Sequence, residues 1–267
     1  MKPIKIVACV KQVPSEGGAS MDPEKGLLIR AASLSAANPL DVCALEVAAR
    51  ILDAFGGELA ALSMGPSSAS SVLTQAFAMG AVRAVLLCDP AFAGSDVYAT
   101  SFTLAQGIKK LGGADLILCG QQTTDGDTAQ TPFALAAHLG IPSVGWVKRV
   151  EISTDSLIFV QELSGASAAV FAKFPMVAAI GREAAIPRMP SLKAQLEAKR
   201  KTIETWGLED LNCRDKSLYG LVASPTRVKR VYAPSMEKKA EIVRDPAGAC
   251  AEIIAGLIVK SRDARRE

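Results

Sequence analysis

The sequence predicts an α/β protein with a Rossmann-like, doubly wound and mostly parallel sheet. Short β-rich runs alternate with longer helical patterns along roughly two thirds of the chain, as in consecutive βαβ units. Aromatic residues make up only 5% of the 267 residues, whereas apolar residues make up 49%. Such an abundance of small aliphatic side chains suits helices packed on a parallel sheet. The length allows one large domain or two modest ones.

The order of the elements follows from the apolar runs and from the residues that interrupt them. Asn38 is a plausible N-cap for the first helix, with Pro39 at the first helical position. Gly80 and Gly140 stand where helical patterns end. The predicted strands are residues 4–10, 59–64, 85–88, 116–119 and 177–180, and the predicted helices start at Pro39, span 70–79 and 96–111, and end at Leu139.

After Trp146 the pattern changes. Residues 150–174 contain shorter alternating runs, which indicate an antiparallel excursion before the last core strand. Residues 192–201 form a Lys-rich amphipathic stretch after two prolines, and from Pro225 the chain is basic until a final helix at 247–259. We therefore predict one α/β domain at residues 1–224 and an extended C-terminal arm at 225–267. The arm has little core of its own, so we expect it to pack on another chain.

Composition excludes several classes of function. The formal charge of +3 is too small to indicate a nucleic-acid partner. Six scattered cysteines without a C-x-x-C pair fit a reducing cytoplasm better than a disulfide framework. No apolar stretch has the length of a signal peptide or a membrane span. We expect a soluble, cytoplasmic protein, in which the single histidine, His138, lacks the partners of a metal site or a catalytic triad.

Residues 120–130 form the most informative segment. They follow a buried strand and open a helix, which is where open α/β sheets bind ligands. Backbone amides, hydroxyls and a helix N-terminus can together hold a pyrophosphate. Asp125 and Asp127 would repel phosphate, so we assign them to ribose contacts, loop hydrogen bonds or capping. Asp127 and Gln130 have capping-box spacing, although Thr131 could equally begin the helix. A solvated turn with a cap is the alternative interpretation of the whole segment.

Other nucleotide-binding and catalytic motifs are missing from the sequence. It contains neither G-x-G-x-x-G nor G-x-x-x-x-G-K-[ST], and no acid/base pair or nucleophile motif stands out. We therefore predict no catalytic side chain. A nucleotide site without such groups is typical of a protein that carries a cofactor, such as a flavin, which brings its own chemistry.

Seven segments, in order along nearly the whole chain, resemble the β subunit of electron-transfer flavoproteins. They include VKQVP at 10–14, NPLD at 38–41, SMGP at 63–66, AMGA at 78–81 and DGDTAQ at 125–130, with residues 94–101 and 190–201. The resemblance implies a Rossmann-like fold and a heterodimer in which the α subunit holds an FAD. The β subunit of this family holds either AMP, as a structural ligand, or a second FAD.

The acidic loop and the Ser-Asp region before residues 99–101 resemble the members that hold the second FAD. The resemblance therefore implies a β-site FAD, NADH as the electron donor and electron bifurcation as the reaction, with AMP as the alternative ligand. Two positions depart from the pattern. Val97 stands where such members usually carry Thr, and Thr131-Pro132 replaces the usual Val-Gly-Pro.

The same resemblance implies which residues surround the nucleotide. Most of them lie at predicted strand ends or helix starts, where a cofactor crevice is expected. The set comprises Ala8, Cys9, Asn38, Pro39, Asp41, Met64, Gly65, Ser95, Asp96, Thr100, Gln122, Thr123, Thr124, Asp125, Gly126, Asp127, Thr128, Ala129 and Gln130. For Asn38 a purely capping role, and for Met64 a core position, remain alternatives.

Leu192 lies in the segment that resembles the family's recognition loop, at about 183–201. An exposed leucine with a basic rim would dock a partner, here an acyl-CoA or similar flavin dehydrogenase. The alternative is an amphipathic helix that buries Leu192 and Leu196 within the subunit. By resemblance, residues 227–239 reach the α subunit, and ferredoxin or flavodoxin accepts low-potential electrons. The competing class is a non-redox ATP/AMP-binding sensor, which would carry a Gly-rich phosphate loop and need no α partner.

Overall fold

The computed structural model describes residues 3–15, 19–21, 28–30, 35–154, 156–227 and 249–263. The chain divides into two compact units, residues 1–231 and 232–267. The strands are β1 (Ile4–Cys9), β2 (Gln12–Pro14), β3 (Ala19–Met21), β4 (Leu28–Arg30), β5 (Ser35–Ala37), β6 (Gly57–Met64), β7 (Arg83–Leu87), β8 (Leu116–Gly120), β9 (Ser143–Ile152), β10 (Leu157–Leu163), β11 (Ala166–Phe171), β12 (Met176–Ile180) and β13 (Glu204–Trp206). The helices are α1 (Pro39–Phe55), α2 (Ser70–Ala78), α3 (Val97–Lys110), α4 (Thr131–Leu139), α5 (Leu192–Ala198), α6 (Gly220–Ala223) and α7 (Ala249–Asp263).

Nine of these strands form one sheet in the order β11-β10-β9-β12-β8-β1-β6-β7-β13. The run from β9 through β12 to β13 is parallel, whereas β9, β10 and β11 pair antiparallel. From β1 the chain proceeds outward through β6 and β7, and then returns to the other side of β1 as β8. The predicted mostly parallel, doubly wound sheet is therefore confirmed, with its topological switch point between β1 and β8.

The antiparallel excursion begins earlier than the sequence pattern indicated. Strand β9 starts at Ser143 and pairs parallel with β12 as far as Val147, and its second half pairs with β10. The register shifts around Trp146, whose φ is 51°. A β-bulge of this kind accounts for the irregular apolar pattern, because it interrupts the alternation of side chains between the two faces.

Both faces of the sheet are covered by helices. Along β1, Ile6 and Ala8 point into a core shared with α1 and α2, whereas Val7 and Cys9 point into a second core with α3 and α4. Side chains alternate between the faces of a strand, so a strand buried on both faces reads as an unbroken apolar run. This explains why β1, β8 and β12 were evident from the sequence.

Two helix starts differ in detail from the predicted caps. Asn38 occupies the N-cap position of α1, but its side chain makes no capping hydrogen bond. Helix α4 begins at Thr131 after Gln130, without a side-chain cap, so the capping box from Asp127 to Gln130 does not form. Asn38 Nδ2 instead donates to Asp41 Oδ1 and to the Gln122 carbonyl oxygen.

The second unit contains α7, which covers most of the final helix predicted at 247–259. Its residues Ile253, Ile254, Leu257 and Ile258 are all exposed. Their spacing places them on one face of the helix. Of the predicted basic tail at 227–239, only Arg227 lies within the described residues. Among the helices of the described ranges, none has the length and apolar character needed to cross a membrane.

Candidate functional site

A cavity of about 380 Å³ lies at the carboxyl ends of β1, β6 and β8. This is the edge of the sheet, beside the switch point, where open α/β folds bind their ligands. The cavity is lined by Cys9, Val10, Lys11, Asp41, Leu62, Met64, Ser95, Asp96, Val97, Thr100, Leu104, Cys119, Gly120, Thr123, Gly126, Thr128, Thr131 and Pro132.

Two further cavities adjoin it. One, of about 510 Å³, shares Met64 and Ser95 with the first and extends past Gly65 and the segment 87–94. The other, of about 250 Å³, lies beyond Thr123 and is also lined by Pro39, Gln122 and Asp127. The crevice therefore runs along the sheet edge from the end of β12 to the end of β7.

Asp41 joins the elements that form the floor of the crevice. Its Oδ1 accepts hydrogen bonds from Asn38 Nδ2 and from the backbone N–H of Gly120, both at 3.0 Å. Its Oδ2 accepts from the backbone N–H of Lys11 at 2.7 Å. Because the side chain is only 4% exposed, these contacts fix the start of α1 against the ends of β1 and β8.

Burial dominates the electrostatics of the floor. It raises the pKa of Asp41 from 3.8 to about 7, although the hydrogen bonds from Asn38, Lys11 and Gly120 favour the ionised form. Cys9 and Cys119 are register partners on β1 and β8 and line the same cavity. Their mutual hydrogen bond, burial and the nearby Asp41 raise the pKa of the Cys119 thiol well above its ordinary value. This thiol therefore remains protonated at neutral pH.

The loop from Gln121 to Gln130 forms one wall of the crevice. Gln122 accepts a hydrogen bond through its carbonyl oxygen from Asn38 Nδ2 at 2.9 Å. Asp127 and Ala129 have φ values of 49° and 51°. A left-handed backbone conformation is unfavourable for residues other than glycine, and such residues are often found at ligand sites. Turn conformations that combine right-handed and left-handed residues also occur in loops that bind anions.

Lys11 spans the space between this loop and β1. Its Nζ donates to Asp125 Oδ1 at 2.6 Å and to Oδ2 at 2.8 Å. Burial raises the pKa of Asp125, but the Lys11 ammonium outweighs that effect, and the net pKa lies below the ordinary value. Asp125 is therefore ionised at neutral pH and paired with the one cation that lines the 380 Å³ cavity among the described residues.

At the opposite wall, Asp96 is engaged within the chain. Its Oδ1 caps α3 by accepting from the Ala99 N–H at 3.1 Å. Its Oδ2 accepts from the backbone N–H and the hydroxyl of Thr226 at 2.9 and 2.7 Å. Burial raises the pKa of Asp96, but these hydrogen bonds together lower it below its ordinary value. Asp96 thus ties the wall of the crevice to Thr226, near the start of the predicted C-terminal arm.

The structure brings together most of the residues that the sequence singled out. Cys9, Asp41, Met64, Ser95, Asp96, Thr100, Thr123, Gly126 and Thr128 line the 380 Å³ cavity, Gly65 lines the 510 Å³ cavity, and Pro39, Gln122, Thr124 and Asp127 line the 250 Å³ cavity. Ala8 and Asn38 are fully buried behind them. Asp125 pairs with Lys11, and Ala129 and Gln130 lead from the loop into α4, but none of these residues lines any of the three cavities. Contact of these residues with a cofactor stays a prediction.

Several lining residues were missed by the sequence analysis. Lys11 and Cys119 lie at or just beyond the carboxyl ends of β1 and β8, so their position in the alternating pattern was a usable signal. Gly181 and Arg182 follow β12 in the same way and line the 250 Å³ cavity. The rule that ligands bind at this edge of the sheet applied to each of them.

Leu192, the predicted docking residue, is 72% exposed at the start of α5. Ile186 and Met189 before it are 93% and 90% exposed, so the segment presents apolar side chains to solvent. Leu196 is also exposed, so the alternative in which Leu192 and Leu196 are buried within the subunit is wrong. Arg188 holds the segment on α1 through Glu46, at 2.8 Å, and Asp53, at 3.0 Å.

Residues 26–211 match the model of the electron transfer flavoprotein domain. The electron transfer flavoprotein subunit beta of Clostridium acetobutylicum is 39% identical over 251 residues, which cover 94% of this chain and 96% of the relative. The caffeyl-CoA reductase-Etf complex subunit CarD of Acetobacterium woodii is 36% identical, over 96% of this chain and 97% of the relative. Protein FixA of Bradyrhizobium diazoefficiens is 34% identical, with coverage of 97% and 96%. The chain therefore belongs to the electron-transfer flavoprotein family, as a β subunit.

Proposed function

We propose that this β subunit holds an FAD in the crevice, accepts electrons on it from NADH and divides them between two acceptors. One electron goes to a low-potential carrier such as ferredoxin or flavodoxin. The other goes, through the FAD of the α subunit, to a partner flavin dehydrogenase. The observation that carries the proposal is the crevice itself, which runs beyond the 380 Å³ cavity into a second cavity of about 510 Å³.

Orphan polar atoms support a nucleotide at this position. Within the described part of the chain, Asn38 Oδ1 and Ser63 Oγ are buried without a hydrogen-bond partner. Asn38 precedes Pro39, which lines the 250 Å³ cavity, and Ser63 lies between Leu62 and Met64, which line the 380 Å³ cavity. Buried polar atoms normally find partners, so unpaired ones suit a site completed by hydroxyl or amino groups of a ligand. The residues present therefore fit a nucleotide.

The size and lining of the crevice favour FAD over AMP. The cavity beyond Met64 offers room that a mononucleotide would leave unfilled. When bound, FAD supplies the hydride-accepting and electron-transferring chemistry. The chain's own residues would act on the ligand by position: Asp41 fixes the floor, the N–H groups of the loop leading to α4 face phosphate, and the apolar side chains of Leu62, Met64 and Leu104 exclude water.

Relatives support the assignment of partners. One relative is named as a subunit of a caffeyl-CoA reductase-Etf complex, in which a reductase of a CoA ester accompanies the flavoprotein. We infer that this chain likewise serves an acyl-CoA or similar flavin dehydrogenase. The exposed segment at Ile186, Met189 and Leu192 would dock it, because apolar side chains held outward on a fixed loop form a ready anchor. Helix α7, with its uncovered apolar face, would pack on the α subunit.

Cofactor analysis tests this function directly. The chain is purified with its α subunit, the cofactors are released by denaturation, and FAD and AMP are counted per heterodimer. We expect two FAD and no AMP, together with anaerobic NADH oxidation that requires both a ferredoxin-type and a dehydrogenase acceptor. A heterodimer with one FAD and one AMP that does not oxidise NADH would overturn the proposal in favour of a non-bifurcating β subunit.

A further inference from the structure

Lys11 has an unusual position for a surface lysine. It lies two residues beyond the end of β1, its backbone N–H donates to Asp41 Oδ2, and it lines the 380 Å³ cavity. The other charged side chains among the lining residues that the structure describes are Asp41 and Asp96. A ligand that carries phosphate therefore meets two carboxylates in this cavity, and Lys11 is the group that can offset them.

The Lys11–Asp125 ion pair is poorly explained as a stabilising contact. The Lys11 side chain is 44% exposed, and ion pairs open to solvent contribute little to stability. Asp125, in contrast, is only 13% exposed. Within the loop, the Gly126 N–H donates to Thr123 Oγ1 at 3.4 Å and the Asp127 N–H donates to the Thr123 carbonyl oxygen at 3.0 Å. The loop can consequently keep its conformation when Lys11 departs, whereas Lys11 has no other ionic partner among the described residues.

We propose that Lys11 is a phosphate-binding residue of the crevice, and that Asp125 holds its ammonium group until a nucleotide phosphate replaces the carboxylate. The inference deepens the proposed function and rests on it. The Lys11 ammonium keeps an anionic partner throughout the exchange, because the phosphate takes the place of the carboxylate. The start of α4 and the hydroxyls of Thr128 and Thr131 line the same cavity and can complete the contact with phosphate.

Two substitutions with opposite expected effects test the inference. The heterodimer of full-length chains is stripped of bound nucleotide, and AMP or ADP is then titrated into it in a calorimeter. Lys11→Met removes the cation, so we expect the dissociation constant to rise about tenfold, as for loss of a charge-assisted hydrogen bond. Asp125→Asn releases the lysine from its internal partner, so we expect the dissociation constant to fall by about three- to tenfold.

The double variant separates the exchange from a general effect of charge. If Asp125 competes for Lys11, Asp125→Asn strengthens binding little once Lys11→Met is present. If Asp125→Asn strengthens binding as much in the Lys11→Met background as in the wild type, Asp125 acts through its own repulsion of phosphate. That result overturns the proposal. Glu204→Gln is the matched control, since it breaks the solvent-exposed ion pair with Arg83 at the first residue of β7. We expect this control to bind like the wild type.

The other outcomes are equally decisive. If both single variants weaken binding to the same extent, the ion pair only shapes the loop, and the inference fails. If neither changes the dissociation constant, Lys11 does not touch phosphate. A wild-type heterodimer that binds neither AMP, ADP nor FAD overturns the proposed nucleotide site itself, and the inference with it. A nucleotide that binds the wild type, with the wrong pattern among the variants, overturns the inference alone.

Discussion

Replacing Asp41 by asparagine should alter the pH dependence of stability in a predictable direction. Burial raises the pKa of this carboxyl from 3.8 to about 7 in the folded protein. A raised pKa in the folded state means that the folded chain binds more protons than the unfolded chain between these values. The stability contributed by Asp41 is therefore complete below pH 4 and is lost as the pH rises through 7.

The size of the effect follows from the shift and from the hydrogen bonds. Between pH 5 and pH 8 the wild type should lose about 3 kcal/mol through Asp41, at about 1.4 kcal/mol per unit of pH below the folded pKa. Asparagine does not titrate. Its carbonyl oxygen can accept from Asn38 and Gly120 as Oδ1 does, but its amide would face the Lys11 N–H and leave it unpaired, which costs about 1–3 kcal/mol.

Asp41→Asn should therefore be less stable than the wild type by about 2 kcal/mol at pH 5, and at least as stable at pH 8. Melting temperatures of the heterodimer, measured from pH 5 to pH 8 at fixed protein and cofactor concentration, report the difference. We expect the difference in melting temperature between the two proteins to change by about 6–12 °C from pH 5 to pH 8. Titration of all other groups cancels in the comparison. A gap that widens as the pH rises would show that the three N–H donors lower the pKa of Asp41, and would refute the reasoning.

Two further substitutions test the crevice and the docking segment. Gly120→Ala would place a Cβ 2.3 Å from Asp41 Oδ1 and 2.8 Å from the Asp41 backbone nitrogen, so we expect the free energy of unfolding to fall by about 3 kcal/mol and nucleotide retention to weaken. Gly126→Ala is the control and should be tolerated, because the nearest neighbour of its Cβ lies at 3.5 Å. Equal melting temperatures for the two variants would contradict this expectation. Leu192→Asp should leave the melting temperature and the cofactor content unchanged, because the side chain is 72% exposed. It should raise the KM for the partner dehydrogenase about tenfold. An unchanged KM, or a fall in melting temperature, would contradict the docking role.

The elements of the main sheet could be predicted because their signals are local. Strands β1, β8 and β12 are buried on both faces and read as continuous apolar runs. Helix ends coincide with glycines such as Gly140, which takes the left-handed conformation at the end of α4. The loop from Gly120 to Gln130 could be placed in the crevice for the same reason, since it directly follows the end of a buried strand.

The partners of the polar side chains could not be predicted in this way. Lys11 and Asp125 are 114 residues apart, and Asp96 and Thr226 are 130 apart. No local pattern encodes such pairs, because they depend on where distant chain segments meet. Asn38 illustrates the consequence: its sequence context indicates a capping residue, but the tertiary structure directs its amide to Asp41 and Gln122 instead.

Helix α1 connects the crevice with the proposed docking segment. Its first turn carries Asp41, which fixes the floor of the crevice. Farther along, Glu46 accepts three hydrogen bonds from Arg188, and Asp53 accepts a fourth. Glu46 is almost buried, so its charge depends on Arg188 for compensation, and the pairing resists separation. Because α1 is packed into the core along most of its length, the docking segment and the crevice are held on one rigid element. A partner that docked at Leu192, as proposed, would therefore meet the proposed cofactor site at a distance set by the folded chain.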